Sequence, residues 1–435
     1  MKTNGSADMQ TDMERYFDRL WPICRSLTGN GVRESLNIIS EIIPLQIHEI
    51  PTGTQVLDWT IPNEWNIDEA YIIAPNGKRV ADMNVNNLHI VSYSMPVEGE
   101  FTWEELSPHL HTLPSMPDAI PYITSYYKEN WGFCISHNEW LSLPREGTYK
   151  VIVKSTLKPG SLTYGEAILP GETQEEVFFS TYICHPSMAN NELSGPLVQA
   201  FLYQQLASIP TRKYTYRFLF IPETIGAVAV LAKHGKTWAE ALKAGFVLTC
   251  VGNEARFQYK RSRRGNALPD RMTEHVLHHF APDAVIQNFA PDGSDERQYC
   301  SPGFNLPVGS LMRTPYYQYP YYHTSFDNKA FIRFSAMEGT VRMYQKIVEA
   351  IELDGFYVNT QPYGEPQLGK RNLYPDTISA EYKRDYLDTL LYLLNFSDGE
   401  HSLLDIAIKR GKPISDFAEP LRKCMECGLI VRVNK

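Results

Sequence analysis

The rhythm of apolar and polar positions changes several times along this 435-residue chain. Between residues 8 and 45 apolar side chains recur at three- and four-residue spacing in DMERYFDRLWPI and VRESLNIISEII. That spacing predicts two amphipathic helices joined by the Gly- and Asn-rich loop CRSLTGNGVR. From about 50 to 165 the texture becomes short β-rich pieces (QVLDWTI, AYIIAP, HIVSYSM, WGFCISH, YKVIVKS) cut by Pro, Gly and Asn turns. This predicts a small all-β module whose tryptophans offer a ligand platform, with core packing the favoured use for most of them. From about 170 to 355 continuous apolar runs (VFFSTYI, YTYRFLFI, GFVLTCV, LPVGSLM) alternate with helix-like segments (PLVQAFLYQQLAS, AVAVLAKHG, WAEALKA, DRMTEHVLHHFA). Runs without alternation suit strands covered on both faces, so a mainly parallel α/β sheet is expected, closed by the helix AMEGTVRMYQKIVEAIEL.

After the linker NTQPYGEPQLGKRNLYP, three helical segments and a terminal LIVRV give the outline of a winged helix. The domain reading is therefore an α/β domain over 1–50 and 165–357, an inserted β-rich domain over 51–164, and a winged-helix-like domain over 368–435. From 370 onward there are 11 Lys/Arg against 10 Asp/Glu. Nucleic-acid modules carry a clear basic face, so packing or protein contact is favoured over DNA for this unit.

Composition narrows the class further. A net charge of −9 points to neither nucleic acid nor an anionic membrane. No apolar h-region opens the chain and no run of 18 apolar residues occurs, so neither a secretory signal nor a membrane span is expected. Seven scattered cysteines do not make a disulfide framework, and a reduced, cytoplasmic setting is the expectation. Cys424 and Cys427 form a C-x-x-C inside a helical segment with no second pair or histidine nearby; both read as small buried residues.

In an open α/β sheet, ligands bind beyond the carboxyl ends of the strands. Past VFFSTYIC lies His185, with Asn191 six residues on. Past YTYRFLFIP lies Glu223, and past GFVLTCVG lie Asn253 and Glu254. Beyond LPVGSLM, the loop PYYQYPYYHTSFD holds His323 among five tyrosines, then Asp327. Singly, each has a structural explanation, such as a satisfied buried histidine or a surface carboxylate. Together, two histidines and a carboxylate at equivalent strand ends are what a metallohydrolase requires: imidazole ligands and a base to deprotonate water.

The motif order resembles that of the co-catalytic zinc aminopeptidases, the family that also includes glutamate carboxypeptidase. Its pattern runs His, A-N-D-N-x-S-G, E-E-x-G, an Asp after a strand, S-D, and Y-H-T-x-x-D. Here these stand as His185, ANNELSG (189–195), PETIG (222–226), VGNE (251–254), GSD (293–295) and YHTSFD (322–327). The wider arrangement, with PTGTQVLDWTIP (51–62) and the terminal winged helix, resembles a group of aminopeptidase-like proteins associated with bacterial polysaccharide biosynthesis. The resemblance implies His185 and His323 as zinc ligands and Glu223 as the general base. It also places Asn191 at the metal-bridging position, Thr224 at the second Glu of E-E, and Asn253 at the remaining Asp. All three are carboxylates in the family pattern.

Those departures limit the metal. Two Zn²⁺ ions ~3.5–4 Å apart repel by roughly 15–20 kcal/mol at an effective dielectric near 20. A neutral amide at Asn191 cannot offset that as a bridging carboxylate does. The expectation is one zinc ion at most, or none, with Glu254, Glu192 or Asp295 as further ligands after rearrangement. For the substrate, Arg263 and Arg264 in YKRSRRGN offer carboxylate or phosphate binding, or simply a solvated hairpin. Tyr322 and its neighbours offer stacking faces to a sugar ring, or packing against a second subunit. Three readings follow. One is a hydrolase of an amide bond in a small peptide or amino-acid-modified sugar. Another is a catalytically altered protein binding a peptide or glycan precursor. The last is a regulator coupling the pocket to the winged helix.

Overall fold

The computed structural model describes residues 6–374 and 380–433. The chain divides into two compact units, one formed by residues up to 267 with 285–342, the other by 268–284 with the chain from 343 onward.

The first unit is built on eight strands: β1 (Gln46–Pro51), β2 (Ser161–Leu169), β3 (Glu176–Tyr182), β4 (Thr215–Ile221), β5 (Leu242–Val247), β6 (Gln258–Lys260), β7 (Val285–Gln287) and β8 (Val308–Met312). Their order is β1-β2-β4-β3-β5-β8-β6-β7. The central four, β4-β3-β5-β8, are parallel. Antiparallel pairings join β1 to β2, β2 to β4 and β6 to β8. The centre is apolar on both faces: Phe178, Phe179, Phe218, Phe246 and Val308 are fully buried.

Helices Ser6–Leu20, Asn30–Ser40, Ser194–Ala207, Ile225–Ala241 and the first half of Phe334–Leu353 belong to this unit. AVAVLAKHG and the WAEA of WAEALKA form one helix rather than two, with Leu242 already starting β5, because Gly235 does not break it. A Cβ there would stand 2.4 Å from the ring of Phe304, so the glycine serves a close approach.

Residues 52–160 leave the sheet at Pro51 and return at Ser161, and these two residues face each other across the β1–β2 pair. The excursion is thus an insertion whose entry and exit are neighbours. It carries an antiparallel four-stranded sheet in the order Arg79–Val80, Glu64–Ile73, Tyr149–Lys158, Val97–Phe101. Its core includes Ile72, Phe133, Tyr149 and Val151. Arg33 ties it to the main sheet, giving two hydrogen bonds to Glu64 (2.8 and 2.6 Å) and one to Glu49 (2.7 Å). HIVSYSM is not a strand but a short 3-10 turn at Asn87–His89 followed by a loop. The Ser94 hydroxyl bonds the Val91 carbonyl at 2.6 Å, offering the backbone an alternative to a ladder.

The second unit holds a three-stranded antiparallel sheet, Asp398–Ser402, Phe356–Asn359 and Ile430–Val433. Helices Ala380–Phe396, Leu403–Arg410 and Ala418–Glu426 accompany it. Its central strand therefore starts twelve residues ahead of the boundary expected at 368. Helix Leu268–Phe280 also belongs here: Arg271 pairs with Asp405 at 2.6 Å, and His275 Nε2 accepts the Ile414 amide at 3.0 Å. Cys424 is buried as expected, whereas Cys427 is exposed, and all seven cysteines are free. Among the described residues no helix is long and apolar enough to cross a membrane.

Candidate active site

Beyond the carboxyl ends of the parallel strands lies a cavity of about 430 Å³. His185 follows β3, Glu223 follows β4, and His323 ends the aromatic loop after β8; all three line it. The inserted module supplies the opposite wall through Trp59, Tyr122, Tyr126 and Tyr127. The charged side chains in the lining are Glu223 and Arg297.

His185 is held from behind. Its Nδ1 stands 2.8 Å from Oε2 of Glu192, while Nε2 lies 3.5 Å from Oε2 of Glu223. With Nδ1 engaged by Glu192, Nε2 is the ring nitrogen on the cavity side. Glu192 is fully buried, and burial pushes its carboxyl up to about 8 against the opposing charge of Arg25. Arg25, itself fully buried, donates Nε to the His185 carbonyl at 3.3 Å and Nη1 to the Leu20 carbonyl at 2.6 Å. Burial, then Arg25, lowers the His185 imidazole to about 3.

His323 is set differently. Its ring lies 3.9 Å from that of Tyr322 in a stack and 5.5 Å from the His185 ring. Its Nε2 is buried without a hydrogen-bond partner, and burial followed by the His185 charge lowers it to about 3. Both imidazoles are therefore neutral near pH 7, as metal ligation needs. Tyr122 from the module sits 5.2 Å from both rings, and its amide donates to the His323 carbonyl at 2.9 Å.

Glu223 follows Pro222 on a strained turn. Thr224 has φ 62° and His323 φ 55°, both in the left-handed region that a β-branched or bulky residue rarely occupies. Asp295 Oδ1 accepts the Thr224 amide at 2.7 Å and so holds that turn from behind. Burial, then the Glu192 charge, raises the Glu223 carboxyl, although 24% of the side chain is open to the cavity. Asp295, fully buried, is also raised, by burial and then by Glu223.

The most specific motifs of the resemblance meet directly. Asp327 Oδ1 accepts the Asn190 amide at 2.6 Å and Oδ2 the Asn191 amide at 2.9 Å, with Tyr319 donating to Oδ2 at 2.9 Å. The Asn191 side chain is buried and occupied: Oδ1 accepts from Tyr182 at 3.2 Å and Nδ2 contacts the Met188 sulfur. Asn253 points away to Thr314 Oγ1, and Glu254 is exposed. Arg263 and Arg264 bond Asn305 and are absent from the cavity lining, as is Tyr322, which backs His323. Sequence reasoning missed Arg25, Arg297 and the module tyrosines as parts of the site. Arg297 lies two residues beyond Asp295 in GSDER, which was the available signal.

Among the described residues, the group with ligand atoms within 4.8 Å of one another is Cys184, His185 and Glu192. It is closed by its own hydrogen bonds: Cys184 Sγ accepts the Glu223 amide at 3.3 Å. Two ligands on one tetrahedral zinc stand ~3.3 Å apart. The 2.8 Å between Nδ1 and Oε2 is a hydrogen bond instead, with the cation Arg25 beside it. Asn191, Thr224 and Asn253 bring no charge to offset a second cation, and their polar groups are engaged elsewhere. The imidazole nitrogens left for an ion on the cavity side are Nε2 of His185 and the unpartnered Nε2 of His323.

A family profile described as a domain of unknown function, DUF4910, matches residues 14–354. The chain belongs to the DUF4910 family. A winged helix-turn-helix profile matches 355–432, the second unit's sheet and its three C-terminal helices. A Clostridium acetobutylicum protein provisionally named a polysaccharide biosynthesis protein with an aminopeptidase-like domain is 46% identical over 408 residues, 94% of this chain and 93% of its own. A crystal structure of a Clostridium acetobutylicum protein provisionally named a peptidase superposes with a TM-score of 0.91 at 43% identity, covering 98% of this chain and 97% of that one. A zinc aminopeptidase from Bacillus subtilis shares the fold at 11% identity, with a TM-score of 0.57 over 80% of this chain and 94% of its own. The DUF4910 region is thus aminopeptidase-like in fold.

Proposed function

We propose that this chain is a peptidase-like hydrolase of aminopeptidase type that cleaves an amide bond in a small peptide or amino-acid-modified sugar. The observation carrying this reading is that Glu223, the carboxylate in the cavity lining, shares that cavity with two neutral histidines at the carboxyl ends of parallel strands. His185 and His323 would hold one zinc ion, through fewer nitrogens than the three protein ligands of a usual catalytic site, and therefore weakly. Such an ion supplies Lewis acidity to a scissile carbonyl.

The chain's own groups do the rest. Glu192 and Arg25 fix the His185 ring; Asp295 fixes the Glu223 turn. Glu223, with raised proton affinity, takes a proton from an attacking water and returns it to the leaving amine. The aromatic wall excludes bulk water and grips the substrate. Glu223→Gln should abolish release of free amino acid from a panel of dipeptides and aminoacyl sugars while leaving the melting temperature within a few degrees. Full activity in that variant would refute the assignment.

The neutral residues at 191, 224 and 253 favour a second reading, a protein that binds a peptide or glycan precursor without cleaving it. It predicts ligand-induced thermal stabilisation that a chelator does not change. The near-neutral winged-helix unit enters either reading as a packing or protein-contact module.

A further inference from the structure

We infer that the ligand of this cavity is an anionic sugar, a pyranose ring bearing a carboxylate, with its ring against the module's aromatic wall and its carboxylate on Arg297. The inference rests on the reading of this cavity as the substrate site and names the class of substrate.

Arg297 sits on the short helix Glu296–Tyr299 and lines the cavity beside Glu223. Its hydrogen bond is one long contact, Nη2 to Thr224 Oγ1 at 3.4 Å, and its Nε is buried without a partner. Among the described residues no carboxylate lies within ion-pair distance of it, although acidic groups surround it. Asp295 and Glu296 each have one oxygen engaged elsewhere and the other buried without a partner, and Glu223 shares the cavity lining with Arg297. Asp295 Oδ1 takes the Thr224 amide, and Glu296 Oε1 takes Lys260 Nζ at 2.8 Å and the Tyr316 hydroxyl at 2.7 Å.

Two other half-buried arginines carry carboxylate partners, whereas Arg25 and Arg313 are held by carbonyl and hydroxyl oxygens. Arg217 bridges Glu166 and Glu176, and Arg33 bridges Glu49 and Glu64. A partly buried guanidinium left open on a cavity is suited to a bidentate anion from the ligand.

The ring half of the inference rests on the facing wall. Trp59 and Tyr127 stand at the rim, 38% and 53% exposed, with ring centroids 5.8 Å apart edge to face. Tyr127 has φ 63°, a left-handed conformation that is strained for a bulky residue and is found where a site needs it. Deeper in, the hydroxyls of Tyr122 and Tyr126 lie 3.0 Å apart. Amphipathic rings with hydroxyl tips match a sugar, whose C–H face is apolar and whose rim is hydroxylated. A volume of about 430 Å³ suits a monosaccharide with a substituent of amino-acid size.

The test is titration of the full chain with D-glucuronate, D-glucose and L-glutamate, followed by calorimetry and ligand-observed NMR. Glucuronate and glucose share the ring and differ in the carboxylate. We expect glucuronate to bind at least tenfold tighter than either glucose or glutamate. Arg297→Gln should erase the preference over glucose, Arg297→Lys should keep part of it, and Trp59→Ala should weaken both sugars. Equal binding of glucose, tighter binding of glutamate, or no binding of glucuronate would each overturn the inference. If Arg297→Gln fails to fold, the glucuronate-to-glucose ratio on the unaltered chain decides alone. Selective glucuronate binding without any amide cleavage leaves this inference standing while the hydrolase reading falls; cleavage of neutral peptides without glucuronate binding does the reverse.

Discussion

Glu192 Oε2 meets Nδ1 of His185 at 2.8 Å, on the side of the ring that faces away from the cavity. In the proposed one-metal reading Glu192 supports the His185 ring from behind, although its ligand atom also lies within 4.8 Å of those of Cys184 and His185. A carboxylate behind a histidine fixes its tautomer and raises the basicity of the free nitrogen. Glu192→Gln should retain the fold and lower zinc affinity by about 10–100-fold in a competition titration with a chromophoric chelator. Unchanged affinity would remove Glu192 from the site.

Asp327 supports the loop that carries His185's neighbours. It accepts the amides of Asn190 and Asn191 with its two oxygens, both buried. Asp327→Asn leaves one acceptor oxygen and turns the other into a donor, facing an amide it cannot satisfy. The expected cost is about 2–4 kcal/mol in denaturant unfolding, the range for a lost charged hydrogen bond plus a stranded buried donor. A loss under 0.5 kcal/mol would show that the clamp is dispensable.

The strand centres and the sites at their ends were legible because burial on both faces forces continuous apolar runs, and ligand sites follow from topology. β1 and β2 were not. QIHEIP is a half-exposed edge with polar alternation, and SLTYGEAIL carries Gly165, where a Cβ would stand 3.0 Å from Leu36 of the covering helix. His185, Glu223 and His323 could be read from position alone. Arg25 could not, since its contact with His185 joins residues 160 apart in sequence. Asn253, Arg263 and Arg264 sit near a strand end, yet their side chains bond Thr314 and Asn305 instead of facing the cavity. Strand-end position says which residues are near, and only the local hydrogen bonds say which way they turn.

The module's attachment predicts a pH dependence. Glu64, bonded to Arg33, has its carboxyl lowered from 4.5 to about 2. A lowered folded-state value means stability that is present above the unfolded value and is lost as pH falls through the folded one. Arg33→Gln should thus destabilise the chain by about 1.5–3 kcal/mol at pH 7. The difference from the unaltered chain should shrink between pH 4.5 and about 2, as followed by urea unfolding. A difference that stays constant across that window would assign the loss to packing instead.

In the winged-helix unit basic side chains are neutralised by close acids: Arg410 and Lys412 by Asp385, Arg422 by Glu426, Lys423 by Glu419. Anisotropy with a labelled duplex at physiological salt should show no binding tighter than ~10 μM. Tight, salt-sensitive binding would instead support a regulatory role.

The central claim is that the loss of three carboxylates leaves one metal position, held by His185 and His323. Calorimetric titration of zinc into the metal-stripped full chain tests it most directly. The account predicts one equivalent per chain, abolished by His185→Ala and by His323→Ala; two equivalents, none, or binding that survives either substitution would contradict it.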